Sequence, residues 1–223
     1  MIASEIISDS VPSVKSTDPV GLAVDWMNEF KLAQLVVVDQ GRYKGLVTED
    51  DLLDAEELTT LVRDLKHKYA GWESAYILEN HHIYDAIALM SEFNLEIVPV
   101  LDEAGMYQGV VTLRDLMQQL SKLFAMREPG GILVLEIPRH SYVLSEIGRI
   151  AESADSKVLS LYLSNIPDST DLLLTLKLNV EDLSRVVAAF ERFDYKIVRT
   201  YHRSNSSDDV RKNFDNLLKY LDI

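Results

Sequence analysis

Gly109-Val110-Val111-Thr112-Leu113-Arg114-Asp115-Leu116 has a second copy in the chain: Gly45-Leu46-Val47-Thr48-Glu49-Asp50-Asp51-Leu52 matches it 64 positions earlier. Glycine, valine, threonine, aspartate and leucine keep their offsets in both. Each copy reads as a short apolar strand running into a helix. Its Thr-x-x-Asp has the spacing of a capping box, with the threonine hydroxyl on the backbone N–H three residues on and the acid reaching back. A helix N-terminus offers free N–H groups and a partial positive charge, which suit an anion such as a phosphate.

Working outward, the similarity continues upstream. Residues 21–40 align without gaps to 84–103; Ala104 is then an insertion, and 41–52 match 105–116. Ala23/Ala86, Met27/Met90, Phe30/Phe93, Leu32/Leu95, Val37/Val100, Asp39/Asp102, Tyr43/Tyr107 and Gly45/Gly109 are identical pairs. Two copies are too few for a solenoid, so a tandem pair of small domains is expected. In each, helical spacing is followed by an apolar strand, a turn at Gly41 or Gly105, a second strand and the threonine-led helix. Asp18 before Pro19 is the expected cap of the first helix, and residues 52–68 are expected to continue the helix that begins at Thr48. Val11–Lys15 and Ala75–Leu78 are the expected leading strands. Trp72, beside the linker, is expected as a packing anchor.

The order β-α-β-β-α, the strand Val98-Pro99-Val100-Leu101-Asp102 and the doubled ending Gly-x-Val-Thr-x-x-Asp-Leu resemble a pair of CBS domains, over about residues 1–125. The resemblance implies a regulatory module with an adenosine-containing ligand (AMP, ADP, ATP or S-adenosylmethionine) in the clefts between two sheets. It implies ribose contacts from Asp51 and Asp115, phosphate or ribose contacts from Thr48 and Thr112, and further ligand contacts at Ile77 and Pro99. Arg114 can meet a phosphate; Asp50 stands at its place in the first copy. The Glu49-Asp50-Asp51 run reads as a solvated first turn rather than a cation site, and His81-His82 as an exposed loop.

Glu128-Pro129-Gly130-Gly131 marks a boundary. Beyond it the pattern is strand (132–137), helix (142–154), a hairpin of 157–164 with 171–179, helix (180–193) and strand (195–201). This β-α-β-β-α-β order is that of a ferredoxin-like unit and resembles an ACT domain, which implies dimerisation through this part. Tyr142 stands where that family's glycine opens the first helix, which argues against an amino-acid ligand. Arg139-His140-Ser141 lies at the strand-to-helix turn. Residues 210–221 read as a last amphipathic helix. The expected domains are 1–68, 69–127 and 128–203, with a tail at 204–223. Chains of this layout resemble acetoin-utilisation proteins.

Composition bounds the function. Across 223 residues the net charge is −14 with no concentrated basic patch, which argues against nucleic acid. There is no cysteine, hence no disulfide or thiolate chemistry. No segment reads as a membrane span or a signal peptide, so a cytoplasmic protein is expected. No nucleophile elbow, P-loop or His-Glu-x-x-His motif is present. The expectation is a non-catalytic regulator, a homodimer with an unidentified protein target; the alternative is a ligand-free scaffold that works by oligomerisation.

Overall fold

The computed structural model describes residues 1–8, 10–65 and 74–202. They form two compact units that divide between Gln119 and Leu120. Trp72 and the expected tail helix at 210–221 lie outside the described residues.

In the first unit the first copy of the repeat runs α1 (Val20–Phe30), β1 (Gln34–Asp39), β2 (Arg42–Thr48) and α2 (Glu49–Leu53). The second runs β3 (Ile77–Leu78), α3 (Ile83–Phe93), β4 (Ile97–Leu101), β5 (Tyr107–Thr112) and α4 (Leu113–Leu123). α1 buries Val20, Ala23 and Met27, and α3 buries Ile83, Ala86 and Met90. Those offsets put one apolar stripe on each helix. Both helices end on a left-handed residue, Lys31 at φ 56° and Asn94 at φ 53°. β1 pairs antiparallel with β2, and β4 with β5, each with an irregularity after the equivalent valine, Val37 or Val100. The copies therefore match in capping and register as well as in element order.

The N-terminal chain ties the copies together. Ser8 bridges Val110 on β5 and Val14 bridges Val37 on β1, so one segment serves both sheets. Gly109, at φ 143°, is required there, because a Cβ would stand 3.0 Å from the Ser8 carbonyl oxygen. At the centre, Glu96 Oε2 accepts the Ala33 N–H at 2.8 Å and Gln34 Oε1 accepts the Glu96 N–H at 3.1 Å. Side chains from both copies fill a single apolar core.

Three expectations need correction. α2 stops at Leu53, and among the described residues up to 65 a single 3-10 turn, Val62–Asp64, follows where the helix was expected to continue. The intervening chain is held by α1 instead, since the Leu58 and Thr60 carbonyls accept the Gly21 and Val20 N–H groups, both at 2.8 Å. They thus satisfy the open donors at the start of α1. Leu53 and Leu58 are left 76% and 66% exposed. Asp18 is accordingly not the helix cap; Pro19 holds that position, and the Asp18 carboxylate accepts the Lys15 N–H at 2.8 Å. Val11–Lys15 forms the single bridge at Val14 rather than a strand.

The second unit runs β6 (Ile132–Pro138), α5 (Leu144–Ser153), β7 (Val158–Asn165), β8 (Asp171–Leu178), α6 (Ser184–Arg192) and β9 (Lys196–Tyr201). Its strands lie in the order β7-β8-β6-β9, every pair antiparallel. Leu133, Leu135 and Ile137 alternate with outward residues and join Leu172, Leu174 and Leu176 against Ile147, Ile150, Val186 and Phe190 of the helices. That period of two is what a sheet covered on one face requires.

Candidate functional site

The corner between β5 and α4 is built by short contacts. Thr112 Oγ1 donates to Asp115 Oδ2 at 2.6 Å and accepts the Asp115 N–H at 3.1 Å. The Leu113 N–H, next in line, goes to the Glu96 carbonyl at 2.8 Å. The first copy reproduces this. Thr48 Oγ1 donates to Asp51 Oδ2 at 2.7 Å, the Asp51 N–H returns to Thr48 Oγ1 at 3.2 Å, and the Glu49 N–H goes to the Ala33 carbonyl at 2.9 Å. Both pairs are capping interactions that leave each acid a further oxygen for other donors.

What surrounds the two corners differs. Thr112, Leu113, Arg114 and Asp115 border a hollow of about 480 Å³. Its other walls are Ser8, Ser10 and Val11 of the N-terminal chain, Phe30, Lys31 and Leu32 at the end of α1, Glu96 and Met117. Both copies and the tying segment therefore contribute. Among the described residues three hydroxyls, two cations and two acids line it beside apolar side chains. Arg114 and Lys31 form no ion pair among the described residues. An adjoining hollow of about 640 Å³ lies between α1 and α2 and shares Lys31, Leu32 and Glu96 with the first. It takes in Glu49 but neither Thr48 nor Asp51, and its remaining walls are mainly apolar: Val24, Met27, Leu52, Leu53, Ala55 and Leu58.

The expected residues thus fall into groups. Thr112, Arg114 and Asp115 meet on one hollow. Thr48 and Asp51 are together at their own corner. Ile77, 2% exposed, and Pro99 are buried in the sheet, and neither borders the Thr112 hollow. Sequence reasoning did not single out Ser8, Ser10, Lys31 or Glu96. Only Glu96 had a signal, as an acid opposite Ala33 in the repeat.

Other candidates resolve into structure. His82 is the N-cap of α3, its Nδ1 accepting the Tyr84 N–H at 3.3 Å. Arg139–Ser141 is an exposed 3-10 turn, with the Arg139 guanidinium donating to Asn165 Oδ1 at 2.9 Å. Among the described residues no group of three or more His, Asp or Glu could hold a metal ion. Burial of the equivalent tyrosines pushes both hydroxyls above their ordinary pKa, Tyr107 to about 12 and Tyr43 further. In the second unit a hollow of about 340 Å³ is lined by Phe124, Met126, Ile132, Ser160, Tyr162, Thr175 and Lys177.

A duplicated α/β module whose two copies share one core and both border an open hollow defines the class of this first unit. The family model of the CBS domain matches residues 3–57 and 62–122, over half of the chain, and the protein belongs to that family. The chain is 28% identical over 134 residues to an inosine-5'-monophosphate dehydrogenase of Methanocaldococcus jannaschii, a match that spans 60% of this chain and 26% of that enzyme. It is 28% identical over 125 residues to an uncharacterized 17.7 kDa protein of Acidianus ambivalens, covering 56% of this chain and 76% of that one. A solved CBS domain pair/ACT domain protein of Thermotoga maritima superposes with a TM-score of 0.50 at 24% identity, over 55% of this chain and 98% of the other. Among the described residues no helix is long and apolar enough to cross a membrane.

Proposed function

We propose that this protein is a non-catalytic regulator that senses an adenosine-type nucleotide in the hollow at Thr112, Arg114 and Asp115. The observation that carries the reading is the hollow itself: an acid and hydroxyls for a ribose, cations with no ion-pair partner among the described residues for phosphate, and a helix N-terminus, all around about 480 Å³. Asp115 accepts ribose hydroxyls, Arg114 meets phosphate, and Thr112 holds Asp115 in place. Thr48 and Asp51 form a second, weaker corner, because Glu49 and Asp50 repel phosphate there. AMP, ADP, ATP and S-adenosylmethionine are the ligands to be tried. Ile77 and Pro99 act as supporting core rather than as contacts.

The domains are taken as 1–68, 69–127 and 128–203 with a tail at 204–223. The third is a ferredoxin-like, ACT-like unit, supported by its β-α-β-β-α-β order and the strand order β7-β8-β6-β9. It mediates a homodimer and passes the ligand state to a protein target in the cytoplasm, in the layout of acetoin-utilisation proteins. Ligand shifts the assembly because it binds one arrangement better than another. A second reading, a scaffold without ligand, is favoured by the apolar exposure of Leu53 and Leu58.

Calorimetry of the full chain against the four ligands separates the two readings. Saturable binding that Asp115→Ala removes is expected; no heat and no thermal shift with any of them at millimolar concentration would leave the scaffold.

A further inference from the structure

We infer that Lys31 sets the number of phosphates this site accepts, so that the preferred ligand is a nucleoside di- or triphosphate. A monophosphate, a bare nucleoside and the cationic S-adenosylmethionine bind less well. The inference rests on the nucleotide reading above and adds the charge of the ligand to it.

Lys31 and Arg114 border the same hollow from opposite copies of the repeat. Neither has an ion-pair partner among the described residues. Among the described residues two acids line the hollow, and neither pairs with these cations: Glu96 Oε2 accepts the Ala33 N–H and Asp115 Oδ2 accepts the Thr112 hydroxyl. One cation satisfies one phosphate; a second, brought by the other copy of the repeat, adds to the binding of an anion with more than one phosphate. The Lys31 backbone is held, since its N–H goes to the Met27 carbonyl and Ala33, two residues on, is tied to Glu96. Its long stem leaves the ammonium free to follow an anion.

The conformation of Lys31 points the same way. It is left-handed at φ 56°, as is its counterpart Asn94 at φ 53°. Asparagine takes that conformation more readily than lysine. Helix capping therefore does not call for a lysine here, whereas its charge fits the hollow. Lys31 also borders the hollow between α1 and α2, where Glu49 lies. A ligand without terminal phosphates leaves the ammonium free to turn to that side.

The test is calorimetry of the full chain with adenosine, AMP, ADP, ATP and S-adenosylmethionine. Affinity is expected to rise with phosphate number and to be weakest for adenosine and S-adenosylmethionine. Lys31→Asn, which repeats at this cap what Asn94 does in the other copy, is expected to weaken ADP and ATP by roughly tenfold, the worth of one charge-assisted contact. It should leave adenosine and AMP nearly unchanged, and Lys31→Arg should restore the gradient. If Lys31→Asn keeps the parent ratio of ATP to AMP affinity, or S-adenosylmethionine binds tighter than ATP, the inference fails while the adenosine reading stands. If the parent binds none of the five, both fall together.

Discussion

The corners at Thr48 and Thr112 share their threonine–aspartate hydrogen bonds, yet Thr112 and Asp115 border the hollow that also takes in Lys31 and Arg114, whereas the adjoining hollow takes in Glu49 but neither Thr48 nor Asp51. Their difference lies in what arrives from elsewhere. At Thr112 the N-terminal chain brings Ser8 and Ser10, and the end of α1 brings Lys31. Within the helix itself Arg114 replaces Asp50. Both copies thus keep the capping geometry, and what distinguishes them is their surroundings. A capping box alone is a structural device; a capping box in a hollow of complementary charge is a candidate site.

The comparison can be broken most sharply by removing one acid at a time. Asp115→Ala is expected to weaken nucleotide binding by roughly 30- to 100-fold, as loss of two charge-assisted hydrogen bonds implies. Asp51→Ala should change the tight affinity little; equal losses in calorimetry would mean the corners are equivalent. Exchanging the neighbouring charges sharpens the contrast. Arg114→Asp is expected to cost roughly tenfold in ATP affinity, through loss of a phosphate partner and gain of a repulsive acid. Asp50→Arg should strengthen any weak second binding event.

A smaller effect is expected from the link between copies. Glu96→Ala removes the acceptor of the Ala33 N–H, at a cost of about 1 kcal/mol in chemical denaturation. The loss is modest because Ala33 is only half-buried and water can replace the carboxylate. An unchanged midpoint would mean the link contributes nothing to holding the copies together.

Smallest at neutral pH is the tyrosine pair, where the copies behave alike. The folded protein holds the Tyr107 proton more tightly than the unfolded chain does, because burial disfavours the phenolate. That contribution to stability is fully present below the ordinary tyrosine pKa of 10.0 and is lost as pH rises from there through about 12. Tyr107→Phe should flatten this alkaline loss in denaturation curves taken between those pH values, and Tyr43→Phe should do the same.

The repeat was legible in the sequence because the spacing of Ala23, Met27 and Val37 recurs at Ala86, Met90 and Val100, and burial enforces such spacing. The capping pairs were legible for a related reason: they are local, spanning three residues. The course of residues 54–61 was not legible. Their apolar leucines suited a helix, but their backbone is drawn to the open N–H groups of α1, a demand made by residues about forty positions away. Lys31 was not legible either, because its place in the hollow arises from the packing of one copy on the other. Nothing in its own neighbourhood marks it.

If one corner and not its twin is the tight site, the stoichiometry of ATP binding to the full chain, by calorimetry at the lowest ligand concentration that saturates, will show it. One tight equivalent per chain, lost in Asp115→Ala and kept in Asp51→Ala, is the expected result; two equivalents of equal affinity, or a single one abolished by Asp51→Ala, would contradict it.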